Sequence, residues 1–245
     1  MKVTGMLRVK NEERWIERCL ASILPLCDEI IVLDDHSTDA TFELCKAMPK
    51  TTVYASPFED LNEARDKNFL LCTITEGMPP LPDWIIAIDG DEVLAEGSVE
   101  LLRRQMESNN APCLSLRVRY LWDSENQVRC DGVYGDFHRE SVFRPEKGVT
   151  FHSNPSGGAH FHCGNVPAPL RMKRAVLSNV ELLHFGYLHR EDRIRKYHFY
   201  NQHDPGNARE DQYKHMVIGD IYPAESRFRH GGPLFLEPLQ KAVAA

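Results

Sequence analysis

The sequence predicts a doubly wound α/β fold: a mostly parallel sheet, followed by a smaller mixed region. Three observations carry that expectation. Strand-like and helix-like patterns alternate through the first 110 residues, as in βαβ units. The run 84–88 is apolar at every position, which suits a central parallel strand covered on both faces. Carboxylates follow two of the strand-like runs directly, where an open parallel sheet presents its ligand rim.

Residues 2–9 read as the first strand, and Asn11 is a plausible N-cap for a helix whose apolar residues Trp15, Ile16, Cys19, Leu20 and Ile23 recur at helical spacing. A second strand, 29–33, runs into Asp34 and Asp35 and is followed by a short helix ending near Met48. Residues 52–55 suit a third strand, 61–72 a third helix, and 98–107 another helix after the central strand. The character then changes. Residues 113–120 alternate apolar and polar, the mark of a half-exposed strand, and short strand-like pieces with glycine, histidine and proline continue to about 169. An apolar piece, 180–184, precedes a helix-like segment from Arg190 to about Gln202, and the tail beyond Pro223 has no clear pattern and is expected to be loose.

Composition narrows the function. A chain of 245 residues is long enough for one sizeable core, and we expect a single domain over 1–222, in two halves (1–110 and 111–222), and a C-terminal tail (223–245). The net charge of −7 argues against a nucleic-acid partner. No apolar run approaches a membrane span and the N-terminus lacks a signal-peptide pattern, so no transmembrane segment and a cytoplasmic location are expected. Seven cysteines without a C-x-x-C pair read as reduced, packed thiols.

The rim residues carry the chemistry. Arg8 follows from the first strand, Asp34 and Asp35 from the second, and Asp89 and Asp91 from the central one. Two aspartates around a glycine are hard oxygen ligands suited to Mg²⁺ or Mn²⁺, which keep open positions for substrate phosphates. The glycine allows a tight turn and leaves room for a ligand.

"IIVLDDHSTDAT", "LNEARDKN" and "WIIAIDGDEVL", in this order, resemble the family 2 glycosyltransferases of GT-A fold, and "ESVFRP" and "LLHFGY" are similar to pieces of bacterial members. The resemblance implies a nucleotide-diphospho-sugar donor and transfer of its sugar to an acceptor hydroxyl of a glycan, a lipid-linked or a small molecule. It implies that Asp35 holds the nucleoside, that Arg65 lies near the nucleotide, and that Asp89 and Asp91 hold the metal and the ribose. An inverting displacement also needs a base for the acceptor proton. His36 and Ala40 stand where the family has glycines, although histidine tolerates positive φ better than most residues, and Asp66 replaces the asparagine of "ARN". The second half has no Q-x-x-R-W motif, so transfer of one sugar per visit is expected.

His184 is a candidate third metal ligand, in competition with a purely structural role. Asp131 and Asp136, bracketing "DGVYGD", are the candidate bases, with Glu140 and Glu181 as further choices. His152, His160 and His162 could bind metal, touch the acceptor or fill a polar loop. Arg190, Arg193, Arg195 and Lys196 read as a solvated helix face or a diphosphate shield, and Tyr120 and Trp122 as packing residues or a sugar platform. A sugar-1-phosphate nucleotidyltransferase is disfavoured because no glycine-rich loop follows the first strand; a degenerate nucleotide-sugar binder is disfavoured because both D-x-D carboxylates are present.

Overall fold

The computed structural model describes residues 1–77, 80–152, 163–173 and 175–240. The first half contains β1 (Val3–Val9), α1 (Ile16–Ile23), β2 (Glu29–Asp34), α2 (Thr41–Ala47), β3 (Thr51–Ala55), α3 (Glu63–Glu76), β4 (Trp84–Ala87), β5 (Glu92–Leu94) and α4 (Ser98–Ser108). The rest contains β6 (Cys113–Trp122), β7 (Ser124–Arg129), β8 (Phe137–Phe143), α5 (Ala168–Arg171), β9 (Val176–His184), α6 (Arg190–His203), α7 (Pro205–Arg209) and β10 (Leu236–Pro238).

All ten strands join one sheet, in the order β10-β7-β6-β8-β4-β1-β2-β3, with β9 paired to β5 and β6. The β4-β1-β2-β3 side is wholly parallel. Beyond β4 the pairing is antiparallel except for β6 with β9, which gives the mixed region.

Period-two alternation explains why helices cover both faces of the parallel part. Ile30 and Val32 of β2, with Trp84 and Ile86 of β4, pack against Ile16, Leu20 and Ile23 of α1 and Leu102 and Met106 of α4. Their neighbours Ile31, Leu33, Ile85 and Ala87 face the other way, onto Leu70, Leu71 and Ile74 of α3. Every residue of β4 is buried, as its sequence requires.

Three expectations need correction. Asn11 does not cap α1, which starts only at Ile16. It sits at φ 55° and instead accepts a hydrogen bond from the Thr38 amide (2.8 Å), tying the β1 turn to the β2 turn. β6 is mostly buried rather than half exposed, because it is paired to β8 and to β9 and β7. Beyond Pro223, residues 236–238 form β10, which pairs antiparallel with β7, so this part of the segment belongs to the sheet. No helix among the described residues is long and apolar enough to cross a membrane.

Candidate active site

Parallel pairing aligns the ends of β1 and β2, with Arg8 opposite Leu33 and Val9 opposite Asp34, so the residues that follow share one rim. Arg8 donates from Nη2 to Asp35 Oδ2 (2.6 Å) and from Nε to Asp66 Oδ2 (2.9 Å). Asp66, fully buried near the start of α3, also accepts from Arg65 Nε (3.1 Å) and Nη2 (3.0 Å). Arg65 in turn lies 4.0 Å from the Phe58 ring. Asp35, Arg8, Asp66 and Arg65 therefore form one charge-alternating chain. The aspartate in place of the family asparagine gives both arginines an anionic partner.

Asp34, the last residue of β2, holds the turn with one oxygen: Oδ2 accepts from the Ser37 amide (3.0 Å), while Oδ1 is buried without a hydrogen-bond partner. His36 takes φ 56° in that turn, filling the conformation of the glycine it replaces.

The D-x-D turn lies beyond β4. Arg139 of β8 reaches across to it, donating to Asp89 Oδ2 (3.1 Å) and to Glu92 Oε2 (2.5 Å). Glu92 Oε2 also accepts from the Asp89 amide (2.9 Å), which fixes the turn. Asp91 is buried, and its Oδ2 accepts from Lys196 Nζ of α6 (2.5 Å) and lies 3.7 Å from His184 Nε2. Burial alone would raise the Asp91 pKa, but the Lys196 ammonium hydrogen-bonded to it holds the carboxyl well below the usual range. Burial, partly offset by Asp91 and reinforced by Lys196, pushes His184 down to about 4, so its ring is the neutral, ligating form at neutral pH. Gly186 lies beneath this group: a Cβ there would overlap the Asp91 oxygen and the Lys196 nitrogen.

These residues suit a hard divalent cation. Asp91 supplies a carboxylate and His184 a neutral imidazole whose Nε2 faces it at 3.7 Å. Asp89 is not gathered into the same set. It turns to Arg139, and among the described residues no three His, Cys, Asp or Glu side chains form a ready cage. Such a cation would take its remaining ligands from water and substrate phosphates.

Neither candidate base reaches this rim. Asp131 makes a buried two-armed pair with Arg129 (2.8 Å on each oxygen) and also accepts from the Gly232 (2.5 Å) and Phe235 (3.1 Å) amides, so all its acceptor capacity holds the C-terminal segment. Asp136 is exposed beside Arg117 (3.5 Å) and His138 (3.7 Å). His138 and Arg139 point to opposite faces of β8, which puts Asp136 across the sheet from Asp89. Glu181 lies on that same far side, 3.6 Å from Arg117.

Of the remaining candidates, Trp122 is buried between the Arg129 and Arg193 guanidiniums (4.6 and 4.2 Å), a packing role. Tyr120 stacks on Tyr187 (5.7 Å) and lies 5.0 Å from the His184 ring, so it does border the site. His152 is an exposed partner of Thr150, and His160 and His162 lie outside the described residues. The cationic face of α6 divides: Arg190 and Arg195 are exposed, Arg193 is buried against Asp220 and Asp123, and Lys196 turns into the site.

Two site residues had not been picked out from the sequence. Arg139 looks in sequence like any exposed position of an alternating strand, and only its register brings it to Asp89. Glu12 follows the first strand in "VKNEE"; its Cγ abuts Gly90, and burial together with the Asp91 charge pushes its carboxyl up to about 8. A carboxylate placed directly after a strand at the rim was the signal that could have found it.

The chain is similar in sequence and in fold to known glycosyltransferases. The chain is 28% identical over 198 residues to the SPbeta prophage-derived glycosyltransferase SunS of Bacillus subtilis, covering 79% of this chain and 42% of SunS. An uncharacterised glycosyltransferase of Rickettsia typhi is 29% identical over 132 residues, 52% of this chain and 42% of that protein. The chain thus spans less than half the length of either relative. Among solved structures, residues 1–349 of S. aureus TarS, in complex with UDP-GlcNAc, superpose with a TM-score of 0.52 at 14% identity over 88% of this chain and 71% of that one, a likeness of fold. Residues 7–162, which carry the Arg8–Asp35 pair, the Arg65 helix and the D-x-D turn, match Glycosyl transferase family 2, and the chain belongs to that family.

Proposed function

We propose that this chain transfers one sugar from a nucleotide-diphosphate donor to an acceptor hydroxyl with inversion, in glycan synthesis, using a divalent cation held by Asp91 and His184. The observation that carries the reading is the convergence of two prepared sites on one rim: Arg8–Asp35 after β1 and β2, and Asp91 with a neutral His184 after β4 and β9.

Asp35 accepts hydrogen bonds from the nucleoside, and Arg8 orients it. Asp89, held by Arg139 yet half exposed, faces the ribose. Asp91 and His184 hold the cation, and Lys196 adds positive charge beside them. When bound, Mn²⁺ or Mg²⁺ neutralises charge on the departing nucleoside diphosphate. The Tyr120–Tyr187 pair walls the site on the acceptor side with an aromatic surface suited to a sugar face. The base that takes the acceptor proton, worth roughly 10² to 10⁴ in rate, is not one of the two aspartates suggested by the sequence.

UDP, the nucleotide of the donor in the TarS complex, is the first to test, followed by GDP, dTDP and CDP. A nucleotide at 100 times its dissociation constant raises the melting temperature of a chain this size by roughly 5 to 11 °C. One nucleotide should do so with Mn²⁺ present, and Asp91→Asn should remove the shift. If no nucleoside diphosphate moves the melt of the native chain, or if Asp91→Asn keeps the full shift, the reading fails.

A further inference from the structure

Asp91 already has a cation. Lys196 Nζ lies 2.5 Å from Oδ2, and the lysine side chain is only 16% exposed. It is not held there by chance contact of two surface chains: the carboxylate is 4% exposed, and the bare backbone of Gly186 leaves the space in which carboxylate and ammonium meet. The Tyr187 ring lies 5.4 Å from the ammonium, an environment that favours a cation. His184 Nε2 approaches the same Oδ2 at 3.7 Å. The oxygen best placed to share a metal with His184 is therefore the one that Lys196 occupies.

An ammonium and a divalent ion cannot share that oxygen at contact distance, since their repulsion in a partly desolvated site is large. The helix α6 carries Lys196 to the D-x-D turn, and a diphosphate bound at that turn would offer the ammonium a stronger charge-assisted partner than one carboxylate.

We propose that Lys196 is an exchangeable counter-ion: it holds the metal's place on Asp91 while the donor site is empty, and moves to the donor diphosphate when cation and nucleotide enter together. The proposal rests on the donor-and-metal reading above. It makes metal binding depend on the nucleotide. Bare metal must displace an ammonium from the carboxylate it contacts, whereas metal arriving with a diphosphate supplies the ammonium with a new anionic partner. By linkage, the nucleotide should tighten metal binding and metal should tighten nucleotide binding by the same factor.

The test is a Mn²⁺ titration followed by electron paramagnetic resonance of the free ion, on the native chain and on Lys196→Met, each with and without UDP. Removing the competitor should tighten bare Mn²⁺ binding by roughly tenfold or more, and UDP should then improve Mn²⁺ affinity far less than it does in the native chain. A residue needed only for the fold would lower metal affinity when replaced, so a gain distinguishes the two. Should Lys196→Met fail to fold, Lys196→Gln, whose amide still donates to Asp91 without the charge, carries the same expectation. Bare Mn²⁺ affinity that is unchanged or weaker in the folded variant overturns the proposal. That comparison needs no nucleotide, so it judges Lys196 separately from the UDP and Mn²⁺ binding of the native chain, which judges the donor reading.

Discussion

Gly186 and Asp66 are the two single residues on which the site most depends. At Gly186 a methyl group would meet the Asp91 carboxylate and the Lys196 ammonium, so Gly186→Ala must push them apart. We expect this variant to lose about 1–3 kcal/mol of stability, read by urea unfolding. Unchanged stability in Gly186→Ala would mean that the two side chains give way without cost. Asp66 is fully buried and anchors Arg8 and Arg65 together. Asp66→Asn restores the residue type usual in the family but removes a charge that both arginines use. It should cost about 1.5–3 kcal/mol and weaken nucleoside binding through a less rigid Arg8. Unchanged stability on urea unfolding would show that Asp35 and Asp60 alone suffice for the two guanidiniums.

Among the elements, the pairing of β7 with β10 depends on one carboxylate. Asp131 binds Arg129 and the amides of Gly232 and Phe235, and Arg129 stacks on Trp122 and Tyr134. Asp131→Ala should destabilise the chain by about 3–5 kcal/mol and speed hydrogen exchange over 232–238. A catalytic base at that position would instead lower turnover at constant stability. The short helical turn next to this pair contains His215, whose Nδ1 meets the Tyr134 hydroxyl at 2.7 Å. Burial, helped by the Arg129 and His230 charges, pushes its pKa from 6.5 down to about 3. The folded chain therefore binds a proton there less readily than the unfolded one. The stability that the neutral ring contributes is present in full above 6.5 and is lost as pH falls toward 3. His215→Gln should thus flatten the decline of melting temperature across that window. A decline as steep as that of the native chain would exclude the ring as its cause.

The strands of the described residues form a single sheet whose parallel part carries the Arg8–Asp35 pair and whose mixed part carries β8, β9 and α6, each bringing one residue to the D-x-D turn. The C-terminal segment closes the mixed part instead of trailing from it. Removing residues 224–240 takes two amide donors from Asp131 and the edge partner from β7, and should lower the melting temperature by at least roughly 5 °C. A chain that melts unchanged after this truncation would return that segment to the loose tail its sequence suggests.

Local pattern determined the parallel half. The alternating βαβ periodicity, the all-apolar 84–88 run and the carboxylates immediately after strands were enough to predict the doubly wound sheet and to put Arg8, Asp35, Asp89 and Asp91 on its rim, because each such signal lies within one element and its turn. What only the tertiary structure decided lies in the mixed half. Arg139 and Lys196 sit 50 and 105 residues from their partners Asp89 and Asp91, and only strand register and helix docking bring them there. Asp131 and Asp136 are five residues apart around the same glycine-bearing loop, yet one is tied into the core by the C-terminal segment and the other lies exposed across the sheet from Asp89. A carboxylate in a polar loop reads the same in either setting. Its charge partner, and therefore its chemistry, is chosen by whichever distant element packs against it.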